Sequence, residues 1–164
     1  MKLYDISQEV FGGEVYPGDP VPRREVVCSM AEGAPCNVTA FSMGAHNGTH
    51  LDAPFHFLAD GLTVEQLPLH CFIGPAFVAE LAGEVSAEDA MRVLARAEAA
   101  GAEAARRILL KGERVVSLAA AEVFARAGVV LLGNESQSVG PMERLRARGE
   151  VGNRGWDGWM TSLT

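Results

Sequence analysis

Residues His46 to His56 read H-N-G-T-H-L-D-A-P-F-H and hold three of the chain's four histidines, with one carboxylate among them. Imidazole and carboxylate are the usual protein ligands of zinc, manganese and iron. A chain that gathers them on one ion must bend in a particular way. An extended strand rises about 3.3 Å per residue, which puts His50 and Asp52 about 6 to 7 Å apart on one face. His46 and His50 would be about 13 Å apart on the same strand, too far to share an ion. A turn must intervene, and Asn47-Gly48 is the dipeptide that best tolerates positive φ. A helix would also pair positions four apart, as in H-E-x-x-H. Asn47, Gly48 and Thr49 are weak helix formers, however, and Pro54 lacks a backbone donor. The spacing therefore predicts a turn into a short strand, with His46, His50 and Asp52 around one metal ion. The competing explanation is a polar turn whose histidines only cap the backbone. His56 lies past Pro54, about 13 Å beyond Asp52 if the strand ran straight. That makes it a poor fourth ligand but a candidate acid–base group, since an imidazole titrates near pH 6.5.

The bulk composition frames this site without explaining it. At 164 residues, 48% apolar and 21% charged, the chain fits one soluble domain with a real core. A net charge of -7 argues against a nucleic-acid partner, because phosphate binding leans on clustered Lys and Arg. The first residues lack the apolar run of a signal peptide, and no stretch approaches the roughly 18 apolar residues of a membrane span. Cys28, Cys36 and Cys71 are odd in number and lack C-x-x-C spacing, so no disulfide framework is expected. Cytoplasmic location follows as the expectation.

Local patterns predict a first strand at Leu3–Ile6, then strands within Glu25–Met30 and Asn37–Met43. Tyr16-Pro17-Gly18-Asp19-Pro20-Val21-Pro22 reads as a rigid loop, because its prolines fix φ and remove donors. Thr63 is placed to cap a short helical turn through Leu67, and Ala76–Ala79 forms the buried centre of a strand within Phe72–Leu81. Ser86 caps a helix whose apolar face would carry Met91, Leu94 and Ala95, stopped by Gly101. Arg107–Lys111 predicts a strand, Ser117 caps a helix over Leu118–Ala127, and Val129–Leu132 predicts another buried strand. Alternating strands and helices indicate an α/β fold: a parallel or mixed β-sheet with covering helices. His70, away from the cluster, reads as a structural or surface residue. Residues 142–164 show no apolar periodicity and read as an atypical tail.

The segment His46–His56 resembles the signature H-x-G-T-H-x-D-x-P-x-H of the cyclase family of metal-dependent hydrolases, which includes the bacterial kynurenine formamidases (arylformamidases). Tyr16–Pro20, Gly61-Leu62-Thr63, Gly74-Pro75 and Gly133-Asn134-Glu135-Ser136-Gln137-Ser138-Val139-Gly140-Pro141 extend the resemblance over about residues 3 to 141. The resemblance implies a swivelling β/β/α fold over a domain of residues 1–141, and a homo-oligomer, dimer or tetramer, acting on a small molecule. It gives Tyr16, in a place where formamidases carry tryptophan, a substrate contact. It gives His56 the proton-transfer role, and it implies that Asp52 bridges two metals. Relatives continue past this point with strands that supply a histidine and a glutamate to the second metal. Here no histidine follows His70, and Glu143 and Glu150 match no such motif. A chain truncated or shifted in reading frame near residue 141 is therefore expected.

The predicted reaction is hydrolysis of an amide by water activated at a zinc or manganese ion. The expected substrate is an N-formyl aromatic amine such as N-formylkynurenine, with His56 as acid–base. Two rivals stand beside it. One is a family member that binds metal without turnover. The other is a non-haem iron oxygenase built on His50-Leu51-Asp52, whose sign would be oxygen-dependent turnover with Fe(II).

Overall fold

The computed structural model describes residues 3–140 and the backbone of 159–162. The chain divides into two compact units, Met1–His50 and Leu51–Thr164. In the first, the β-branched run Arg23–Cys28 (β1) pairs antiparallel with Val38–Ser42 (β2), Arg23 opposite Ser42 and Val26 opposite Thr39. A bulge falls between Val26 and Cys28. The connection turns at Gly33, whose φ of 89° suits glycine. It is tied by Asn37 Oδ1, which accepts the Met30 N–H at 2.8 Å. β2 lies within the expected span Asn37–Met43, whereas β1 starts at Arg23 and ends at Cys28, two residues earlier at each end than the expected Glu25–Met30.

The expected strand at Leu3–Ile6 does not form. A strand needs a ladder partner, and the Ile6 carbonyl instead accepts the Thr49 hydroxyl (3.4 Å), while the Gln8 N–H goes to the Thr49 oxygen (3.0 Å). Side-chain bonds have taken the place of a ladder there.

The second unit is a parallel sheet in the order β3-β4-β5-β6, formed by Phe77–Glu80, Arg107–Lys111, Leu131–Asn134 and Trp159–Ser162. Helix α1 (Ala87–Ala100) connects β3 towards β4, a short α2 (Ala102–Ala105) follows Gly101, and α3 (Leu118–Arg126) connects β4 to β5. Sequence and structure agree on Ser86 and Ser117 as N-caps: each hydroxyl accepts the N–H three residues on, from Asp89 and Ala120. Thr63 likewise forms a capping box with Gln66 over the 3₁₀ turn Val64–Gln66. One core joins Ala90, Val93, Leu94 and Ala97 of α1 to Ala120, Ala121 and Phe124 of α3, with Ala79, Ile108, Leu110 and Leu132 from the sheet.

Two expected faces need correction. Met91 and Ala95 are exposed; the buried stripe of α1 runs through Ala90, Val93, Leu94 and Ala97, one helical step round. In β3 only Ala79 is buried and Val78 faces out, so that strand alternates rather than being buried throughout. By contrast, all four residues of β5 are buried, as expected of an inner parallel strand.

Residues 141–158 and 163–164 lie outside the described part, and with them Glu143, Glu150 and the expected break near 141. Within the span expected to be an atypical tail, residues 159–162 form β6 and extend the sheet, Leu131 opposite Trp159. No helix among the described residues is long and apolar enough to cross a membrane. Cys28, Cys36 and Cys71 are all free thiols.

Candidate metal centre

The ligand segment is held in a turn by its own backbone and by two polar side chains. The Asn47 N–H reaches the Gly44 carbonyl at 3.3 Å, and Gly48 turns the chain at φ 65°. Only the glycine of the Asn47-Gly48 pair takes positive φ, whereas the dipeptide as a whole was expected to need it. A Cβ on Gly48 would sit 3.3 Å from Val10 Cγ2, so the position is restricted by space as well as by conformation. Thr49 fastens the turn to residues 6 and 8, as described above. The Asn47 amide donates to the Pro20 carbonyl at 3.0 Å. The sequence pointed to Asn47 as part of the turn, but not to its side-chain tie to Pro20 nor to the ties that Thr49 makes to residues 6 and 8.

His50 Nδ1 lies 2.8 Å from the Gly48 carbonyl. A carbonyl only accepts, so Nδ1 carries the proton and Nε2 keeps its lone pair for another partner. That nitrogen is 3.3 Å from His46 Nδ1, with the two rings edge to face at 76°. Two imidazoles sharing a tetrahedral ion through bonds of about 2.0–2.1 Å place their nitrogens about 3.3–3.4 Å apart. One donor atom from each of His46, His50 and Asp52 lies within 4.8 Å of the others, and all three residues are half-buried. Asp52 Oδ1 is shielded from solvent. Two imidazole nitrogens and one carboxylate oxygen suit a divalent metal, and the 3.3 Å spacing of the imidazoles matches that of two ligands on one ion. Because seven consecutive residues carry all three groups, their convergence is local chain geometry.

The strand expected after the turn shrinks to a single bridge residue at Asp52. Pro54 starts a 3₁₀ turn, Pro54–His56, so the chain bends where a strand would have run straight. His56 is exposed on this turn, its ring edge-on to Phe57 at 4.1 Å, and it is not among the converging donors. Gly61 closes against the turn: a Cβ there would come within 2.7 Å of the Phe55 nitrogen and the Pro54 carbonyl carbon. Tyr16 is half-buried at the start of a β-turn whose Asp19 N–H returns to the Tyr16 carbonyl at 3.0 Å, with Pro17 and Gly18 (φ 102°) at the centre. His70 lies apart from the cluster, exposed on the 3₁₀ turn Leu69–Cys71.

The cyclase family model matches residues 4–141. The chain belongs to the cyclase family. Among curated relatives, kynurenine formamidase of Erythrobacter litoralis is 30% identical over 158 residues, covering 87% of this chain and 69% of its own length. The kynurenine formamidase of Bacillus cytotoxicus is 31% identical over 153 residues, covering 85% and 70%. That of Paracidovorax citrulli is 40% identical over a shorter 82 residues, 49% of this chain and 38% of the relative. A solved structure of a potential metal-dependent hydrolase with cyclase activity superposes with TM-score 0.67 over 99% of this chain and 81% of the other, at 19% identity. A predicted metal-dependent hydrolase from Bacillus stearothermophilus gives TM-score 0.65 over 99% and 82%, again at 19% identity. These two establish the shared fold. The long formamidase relatives place the chain among enzymes, in the hydrolase class.

Proposed function

We propose that this chain hydrolyses a small amide, an N-formyl aromatic amine such as N-formylkynurenine, with zinc or manganese held by His46, His50 and Asp52. The observation that carries the reading is the 3.3 Å approach of two imidazole nitrogens, one of them left unprotonated by the Gly48 carbonyl. The formamidase names of the long relatives point to the substrate class.

A divalent ion bound here would supply Lewis-acid polarisation of a carbonyl and would lower the pKa of a bound water to about 7. The chain's own groups do the rest. His46 and His50 would hold the ion from one turn, with Asp52 as the third ligand from the following bridge residue. His56, four residues on, would take the proton released as water adds to the carbonyl carbon and return it to the departing nitrogen as the C–N bond breaks, a role that typically contributes 100- to 10,000-fold. Tyr16 offers a ring face for an aromatic substrate. We take residues 1–141 as the hydrolase domain and the cytoplasm as its location. We also infer that the active form is a homo-oligomer, because the hairpin β1–β2 leaves Val26, Val27, Val38 and Phe41 uncovered.

Metal content per chain, measured together with formamidase turnover under added Zn(II) or Mn(II), tests the proposal. Wild type should bind metal and release formate, whereas Asp52→Ala should lose both. Metal bound without turnover would favour a catalytically impaired family member, and absence of metal from wild type would end the hydrolase reading.

A further inference from the structure

Asn47 lies between the two histidine ligands, is 4% exposed, and is oriented at both its backbone and its side chain. Its N–H closes the turn on Gly44, and its side-chain amide donates 3.0 Å to the carbonyl of Pro20, 27 residues earlier. Pro20 ends the loop opened by Tyr16, and the Asp19-to-Tyr16 hydrogen bond makes that loop a closed turn. Packing adds to the connection. A Cβ on Gly44 would lie 3.4 Å from Pro20 Cδ, 3.6 Å from Asn47 Nδ2 and 3.8 Å from Asp19 Oδ2, so loop and ligand turn are in direct contact. The Asn47 amide oxygen is buried with no hydrogen-bond partner among the described residues. A buried acceptor left unsatisfied is unfavourable, and the bond from the side-chain nitrogen to Pro20 is what offsets that cost.

We propose that Asn47 is a positioning residue that couples the metal-ligand turn to the Tyr16–Pro20 loop. Ordering of His46 and His50 by an ion steadies Asn47, and through Pro20 it steadies the loop. Coupling of this kind is reciprocal: a settled loop also favours the ligand geometry. Groups that orient metal ligands from outside the coordination sphere typically change metal affinity 10- to 100-fold. Asn47 touches the ligand turn rather than the ligand rings, so its loss should weaken binding by about tenfold, the lower end. The inference rests on the metal reading above and extends it to a residue that contacts neither ion nor substrate.

Hydrogen–deuterium exchange at the Gly18 and Asp19 amides, with and without Zn(II), tests it on wild type and Asn47→Asp. Asn47→Asp keeps the shape and removes the donor. Zn(II) should slow exchange at these two amides in wild type but not in Asn47→Asp, whose Zn(II) affinity should fall about tenfold. Asn47→Ala, which adds no charge, carries the same expectation if Asn47→Asp does not fold by circular dichroism. Bound zinc with equal protection in wild type and in the folded Asn47 variant overturns the coupling and leaves the metal site standing. A wild type that takes up no zinc overturns both.

Discussion

At the scale of single residues, the ligand turn depends on positions that cannot bind metal themselves. Gly48 is the clearest. An alanine at φ 65° costs about 1–2 kcal/mol through left-handed backbone strain alone, and its Cβ would also press on Val10. Gly48→Ala is therefore expected to lower stability by about that amount in urea unfolding, and to weaken metal binding, because Gly48 also supplies the carbonyl that sets the His50 tautomer. The ligands themselves were legible in the sequence, since His46, His50 and Asp52 are chemically distinctive and closely spaced. The side-chain tie of Asn47 was not legible, because it runs to a carbonyl 27 residues away, which spacing cannot reveal.

Among the elements, the caps separate two kinds of stabilisation. Ser86 and Asp89 hold each other: the Ser86 hydroxyl, then its backbone N–H, hold the Asp89 carboxyl below its usual value, and nearby Arg92 adds to this. Because the folded value is the lower one, this contribution is complete above the unfolded pKa of about 3.9 and fades as pH falls through the folded value. Ser117 caps α3 with no carboxylate partner. Ser117→Ala should cost about 1 kcal/mol in thermal unfolding across the acid range. The loss from Ser86→Ala should instead shrink as pH drops below about 4. Caps and buried strands were readable because their signals are local. Leu3–Ile6 misled for the opposite reason: strand propensity was present, but Thr49 had already engaged the backbone. The face of α1 was misplaced because Met91 is apolar and faces outward, and composition cannot distinguish it from the buried Ala90 beside it. β6 escaped because the sequence around it lacks apolar periodicity, and its four residues form a strand by pairing with β5.

For the molecule as a whole, the two units differ in how far each covers its own apolar surface. The helices and parallel sheet share one core, whereas β1 and β2 are exposed along nearly their whole length, Val26 at 64% and Phe41 at 69%. An isolated two-stranded hairpin is marginal in water, and an apolar one gains by burial against another surface. If that surface is a second copy, Phe41→Asp should shift the protein to a lower mass in light scattering while the helical circular dichroism is retained. An unchanged mass would remove the hairpin from the assembly.

The second unit also carries a cross-link of an uncommon sort. Arg107, the first residue of β4 and only 3% exposed, donates to the carbonyls of His70, Cys71, Pro75 and Glu103, and its guanidinium fills the space a side chain on Gly74 would need. Every one of those acceptors is a main-chain carbonyl, so the clasp depends on no carboxylate or imidazole partner. Nor does it involve sulfur, although Cys71 lies within it. The chain entering the sheet is thus fastened to the strand beside it by a rivet that contains no sulfur–sulfur bond for a reductant to cut.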